Sequence, residues 1–145
     1  MIVDANLLLY AVDETSPHHE VARNWWEDAL NGELRVGLPW QTVGAFLRIA
    51  THPRVMSAPL SGPGAAEIVR GWLEVPNVWV PPAGVGTARI LVGLLGAHGV
   101  TANLVPDAQL AALAIEHGVA VASADADFAR WPQVRWINPV AAPGR

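Results

Sequence analysis

The chain has 145 residues, one domain's worth, and is long enough to bury a core without cross-links. It has no cysteine, which excludes disulfides and thiolate metal sites and suits a reducing cytoplasm. The formal net charge of −4 argues against strong non-specific binding to nucleic acid, and all nine basic residues are arginine, which removes reactions that need a lysine.

Taken in chain order, strand-like and helix-like segments alternate. Met1–Asp4 reads as a short apolar strand ending in an acid, and Asp4 interrupts the apolar run that a signal peptide would need. Ala5–Val12 follows as a short helix. His18–Asn31 carries Val21, Trp25, Trp26, Ala29 and Leu30 at helical spacing, with Gly32 as its stop. Leu34–Leu38 is a strand. Pro39–Thr51 reads as a helix opened by proline and closed by His52-Pro53. Ser57–Gly64 is loop-like, Ala65–Val75 helical and Val78–Val80 a strand. Thr87–His98 is a helix closed by Gly99, and Pro106–His117 a helix with Gly118 beyond its end. Val119–Ala122 and Val134–Ile137 complete the strands. The run Ile90–Val100 is too short, and too interrupted by glycine and His98, to span a bilayer, so no membrane is expected.

Short apolar strands alternating with longer helices imply parallel strands joined by crossovers. The expected fold is α/β, a three-layer α/β/α sandwich around a small parallel sheet. In such sheets the active crevice lies at the carboxyl ends of the strands, near the switch in strand order. Hydrophobic residues make up 52% of the chain and charged residues 15%. An apolar surface covered by a second copy or a partner would account for that excess, and the Trp25-Trp26 pair is one candidate for it.

Four aspartates fall at the expected strand ends. Asp4 closes the first strand, Asp125 and Asp127 follow the Val119–Ala122 strand, and Asp107 opens the helix that leads into it. Singly, each has a plain structural reading: a turn residue for Asp4, a helix cap for Asp107, solvated loop acids for Asp125 and Asp127. Jointly they say more. If the first and fourth strands are neighbours, the acids meet over one sheet edge, and clustered carboxylates stay ionised only with a cation beside them. Oxygen ligands alone suit Mg²⁺ or Mn²⁺, which can activate water against a phosphodiester. Glu116 lies nine residues beyond Asp107, about 180° round the helix at ~100° per residue, and faces elsewhere.

Three blocks resemble the acidic motifs of PIN-domain ribonucleases: Val3-Asp4-Ala5-Asn6, Asp107-Ala108-Gln109-Leu110, and Ser123-Ala124-Asp125-Ala126-Asp127-Phe128. Gly37-Leu38-Pro39-Trp40, Phe46 to Arg54, and Arg135-Trp136-Ile137-Asn138-Pro139 resemble the mycobacterial branch of VapC toxins, from type II toxin–antitoxin systems. The resemblance spans nearly the whole chain, with the blocks in order. It implies a PIN domain over 1–138 followed by a mobile tail over 139–145. It also implies an Mg²⁺- or Mn²⁺-dependent endoribonuclease toxin that cleaves cellular RNA, forms a homodimer and is neutralised by a VapB-type antitoxin. Carried over by position, Asp4, Asp107 and Asp125 are the catalytic, metal-ligating acids, Asp127 is a secondary acid, and Asn6 and Ser123 are polar neighbours. Arg48 and Arg54 are the arginines to place against RNA phosphates, with surface ion pairing as their alternative role.

The chain departs from the family pattern at one point. Many PIN domains carry a glutamate in the third helix, near Ala45 or Phe46 here, and this chain has no acid between Leu34 and Pro53. The ligand set for a second metal is therefore short of an acid. The alternative reading is a degenerate PIN fold that binds RNA or a protein without cutting. Receiver domains and haloacid-dehalogenase phosphatases also place acids at strand ends, but both need a lysine, and this chain has none.

Overall fold

Residues 1–142 are described by a computed structural model. The elements in order are β1 (Ile2–Val3), α1 (Ala5–Val12), α2 (His19–Asn31), β2 (Val36–Gly37), α3 (Trp40–Ala50), α4 (Gly62–Leu73), β3 (Val78–Trp79), α5 (Val85–His98), α6 (Val105–His117), β4 (Val121–Ala122) and β5 (Trp136–Ile137). Short 3₁₀ turns at Ala102–Leu104 and Ala126–Arg130 complete them.

The five strands form one parallel sheet in the order β3-β2-β1-β4-β5. The chain steps outward from β1 to β3, then returns to the other side of β1. The order therefore reverses between β1 and β4, where the two expected acid-bearing strands are neighbours, with Ile2 opposite Val121 and Val3 opposite Ala122. The paired segments are shorter than the apolar runs predict, because helices and turns begin directly at their ends. Backbone bonds continue the ladders by a residue: the Asp4 amide donates to Ala122 O at 2.9 Å, Leu38 to Trp79 O at 2.8 Å and Ser123 to Ile137 O at 3.0 Å.

Alternation along the strands divides the interior in two. Ile2 and Val121 face a core with Leu94, the α6 residues Ala108 to Ala114, Phe128 and Trp131. Val3 and Ala122 face the opposite core, with Leu7, Leu8, Trp26, Leu38, Phe46 and Val69. Helices α1 to α4 thus cover one face of the sheet and α5 and α6 the other, the three-layer sandwich expected from the sequence. Two adjustments follow, one with a local cause and one from packing. Helix α4 starts at Gly62 inside the expected loop, because Ser61 accepts a capping hydrogen bond from the Gly64 amide and Pro63 sits in the first turn. Trp26 is not a surface anchor: it is buried, edge-on to Trp72 at 5.5 Å, while Trp25 remains half-buried.

Gly37 holds β1 and β2 together, since a Cβ there would lie 2.8 Å from Ile2 Cγ2. Gly118 ends α6 in the left-handed region at φ 64°, where a side chain is strained, and so turns the chain into β4. Of the expected tail, Val140 packs against the second core, and residues 143–145 lie outside the described residues.

Candidate metal centre

Asp4 occupies the junction between β1 and α1 in extended backbone geometry. Instead of capping α1, its Oδ2 accepts hydrogen bonds from the Ser123 hydroxyl at 2.6 Å and Asn6 Nδ2 at 3.0 Å. Asn6 Nδ2 also donates to Ser123 Oγ at 3.1 Å, and Asn6 Oδ1 accepts from the Ala124 amide at 3.2 Å. Ser123 is fully buried at the end of β4 and accepts from the Asp125 amide at 3.0 Å. Asn6 and Ser123, expected as polar neighbours, therefore tie Asp4 to the loop that carries Asp125.

That loop is anchored from behind. The Trp136 indole N–H donates to Ser123 O at 2.9 Å, and Asn138 donates to Ala124 O at 3.4 Å. Asp125 caps the following 3₁₀ turn by accepting from the Asp127 amide at 2.8 Å. Asp127 pairs with Arg130 at 2.8 Å. Each acid of this loop thus has a local role, and each still presents an oxygen to the cluster described next.

Asp107 stands inside the first turn of α6, and Leu104 occupies the N-cap position, so Asp107 is not the helix cap. Its carboxylate and those of Asp125 and Asp127 offer oxygens that all lie within 4.8 Å of one another, the three half-buried. Asp4 and Asp107 together line an adjoining cleft of about 60 Å³, closed on its far side by Gln41, Thr42 and Ala45 of α3.

The electrostatics follow from this crowding. Burial, and then repulsion from Asp125, Asp4 and Asp127, pushes the Asp107 carboxyl up to about 6, with Arg130 opposing. Asp4 is also raised, first by burial and then by Asp125, although the Ser123 hydroxyl and the first amides of α1 favour its charge. The donor set is all oxygen and short of positive charge, the chemistry that a hard divalent cation satisfies.

Arg48 and Arg54 are exposed, and neither lines the acid cleft. Glu116 turns away from the acids and accepts from the Thr87 hydroxyl of α5. The position of the absent glutamate is settled between its two candidates: Ala45 faces the acid cleft, whereas Phe46 is fully buried against Trp72.

Two polar residues of the cleft wall escaped the sequence reading. Thr42 is buried and donates to Val3 O at 2.7 Å, fixing α3 to the end of β1. Gln41 lies one turn before Ala45 on the same helix face. The signal for Gln41 was that i, i+4 spacing and for Thr42 an i, i+3 spacing, both legible only once Ala45 is known to face the acids.

Comparison with known proteins then decides the family: residues 1–133 match the PIN domain. The chain belongs to the PIN-domain family. This PIN domain is 44% identical to Ribonuclease VapC33 of Mycobacterium tuberculosis over 140 residues, covering 97% of this chain and 98% of that protein. It is 45% identical to Ribonuclease VapC37 of the same organism, covering 97% of each. Its fold is also that of the VapBC2 structure from Rickettsia felis bound to a promoter DNA fragment. That likeness has a TM-score of 0.66 at 13% identity and covers 94% of this chain and 96% of that one.

Proposed function

We propose that this PIN domain is a metal-dependent endoribonuclease toxin, hydrolysing a phosphodiester bond in cellular RNA and neutralised by a VapB-type antitoxin. The observation that carries the reading is the convergence of Asp107, Asp125 and Asp127 beside a hydrogen-bonded Asp4 at the switch in strand order. The relatives with 44–45% identity are named ribonucleases, and a protein of like fold from Klebsiella pneumoniae was solved as a toxin–antitoxin complex.

Asp4, Asp107 and Asp125 are the catalytic residues of this reading and would hold Mg²⁺ or Mn²⁺, with Asp127 as a secondary acid. The crowding that raises Asp107 fits such an ion, because a cation beside it removes the repulsion. When bound, the ion supplies positive charge to the phosphate and lowers the pKa of an attacking water. The protein's own groups do the rest. Ser123 and Asn6 hold the Asp4 carboxylate in one orientation, and Trp136 fixes the backbone that carries Ser123. An ion beside Asp107 would hold its carboxyl in the ionised form to lower pH than the crowded cluster alone allows. Arg48 and Arg54 stand exposed for phosphate contacts.

The partners follow from the surface and the family. Trp40 is 80% exposed, and Val85 and Val92 are each 71% exposed. Such apolar side chains suit burial in a homodimer and under the antitoxin, in a cytoplasmic setting.

The alternative of a PIN fold that binds RNA without cutting rests on Ala45, which leaves the α3 wall without an acid. One assay separates the two readings. Purified, antitoxin-free protein is incubated with total RNA in Mn²⁺ or in EDTA, and the RNA ends are mapped. Internal cuts that need the metal are expected; RNA bound yet uncut at millimolar Mn²⁺ would overturn the proposal.

A further inference from the structure

A second cleft, of about 170 Å³, opens beside the acid cleft and shares Gln41 with it. It is lined by Ala88 and Leu91 of α5 and Ala112 of α6, together with Gln41 of α3 and Gln109 of α6. Thr87 also reaches the cleft, but its hydroxyl is engaged, donating to Glu116 and accepting from the Gly84 amide. Gln41 and Gln109 are therefore the lining side chains with a polar group left to offer a ligand.

We propose that this cleft takes one unpaired nucleobase of the RNA, from a nucleotide next to the phosphate that enters the acid cleft. The inference rests on the ribonuclease reading above. Three features favour a base. An amide carries both a donor and an acceptor, so two of them match the mixed edge of a base. The alanine and leucine walls accept its flat, apolar face. The shared Gln41 puts the cleft one residue away from the acids, on the scale of a single nucleotide. A purely apolar side chain would strip water from the glutamine amides and give them nothing in return, which costs affinity. Among the described residues no arginine lines this cleft, so it offers a phosphate no counter-charge. A base stacked in a duplex could not enter the recess, so the strand must be single at that point.

The test is cleavage of a randomised single-stranded RNA in Mn²⁺, with sequencing of the cut ends, for wild type, Gln109→Leu and Ala88→Trp. Ala88 is exposed, so tryptophan there fills the cleft without entering a core. Mn²⁺ affinity and oligomeric state are measured on the same preparations. Wild type is expected to prefer one base at a single position beside the cut by roughly tenfold. Gln109→Leu should bring that preference below about twofold with Mn²⁺ affinity unchanged. Ala88→Trp should lower cleavage of all sequences by about tenfold. An unchanged base preference in both variants would overturn the proposal while leaving the ribonuclease reading intact. So would a changed oligomeric state in Ala88→Trp with the preference retained, which would assign the cleft to a second copy. Absence of metal-dependent cutting in wild type would remove the ribonuclease reading, and this inference with it.

Discussion

The Ser123 hydroxyl donates to Asp4 Oδ2 at 2.6 Å, joining side chains 119 positions apart in sequence. The bond exists because β1 and β4 are parallel neighbours that end at the same level, so the residues just past each strand face one another. One hydroxyl thereby orients an acid from the start of the chain. As an acceptor, it also fixes the Asp125 amide and the Asn6 side chain.

Ser123→Ala removes this hub while leaving the β-carbon in place. The Asp125 amide and one Asn6 donor bond lose their acceptor in a buried setting, so stability should fall by about 1–3 kcal/mol. Asp4 loses its shortest hydrogen bond, so Mn²⁺ affinity and RNA cleavage should each fall by roughly tenfold or more. Denaturant unfolding and calorimetry check the two effects. Wild-type Mn²⁺ affinity in a folded Ser123→Ala protein would contradict the role given to this hydroxyl.

The acid cluster makes the metal-free protein sensitive to pH. The Asp107 carboxyl sits at about 6 in the fold against an ordinary 3.8, so the native state binds its proton more tightly than the unfolded chain does. Its contribution is favourable at low pH and is lost as pH rises from about 4 to about 6, and Asp4 acts in the same direction. In EDTA at pH 7.5, Asp107→Asn is therefore expected to raise Tm by roughly 3 °C. Near pH 4 the difference should disappear. Mn²⁺ should stabilise wild type above pH 6 and stabilise the variant much less, as thermal melts across pH would show.

Ala45 and Phe46 separate a site position from a core position on adjacent residues. Ala45→Glu places a carboxylate in the acid cleft, and where it reaches an ion, affinity for a second Mn²⁺ should rise by about tenfold. Phe46→Glu buries a charge beside Trp72 and should prevent folding. Calorimetric titration of wild type should give one firm ion and a weak second. Two tight, equivalent ions in RNA-free wild type would mean that a further ligand exists.

Much of this arrangement was legible in the chain, because it rests on local signals. Short apolar strands alternating with longer helices predict the three-layer sandwich whose two cores lie on either side of the sheet, and Gly99 and Gly118 mark helix ends that adopt left-handed geometry. Glu116 faces away from the acids, as its nine-residue spacing from Asp107 predicts, and its carboxylate meets Thr87. What the sequence withheld was non-local. Trp26 carries the same pattern whether it faces a partner or its own core, and only the approach of Trp72 from α4 decides between them. Ala45 and Phe46 are likewise adjacent in sequence, and the packing of α3 on α4 determines which faces the acids. Gln41 carries no motif and Gln109 sits in a block singled out for its aspartate, and their shared cleft arises only where α3, α5 and α6 meet.

The central claim is that the acids at the switch point carry metal-dependent RNA cleavage. The most direct measurement is the cleavage rate of one defined RNA in Mn²⁺ by wild type, Asp4→Asn, Asp107→Asn and Asp125→Asn, each shown to be folded by circular dichroism. Glu116→Gln, which keeps an oxygen acceptor for Thr87, serves as the control. The account predicts a loss of at least about a hundredfold for each aspartate variant, with Glu116→Gln within about twofold of wild type. Folded aspartate variants that cut as fast as wild type would contradict it.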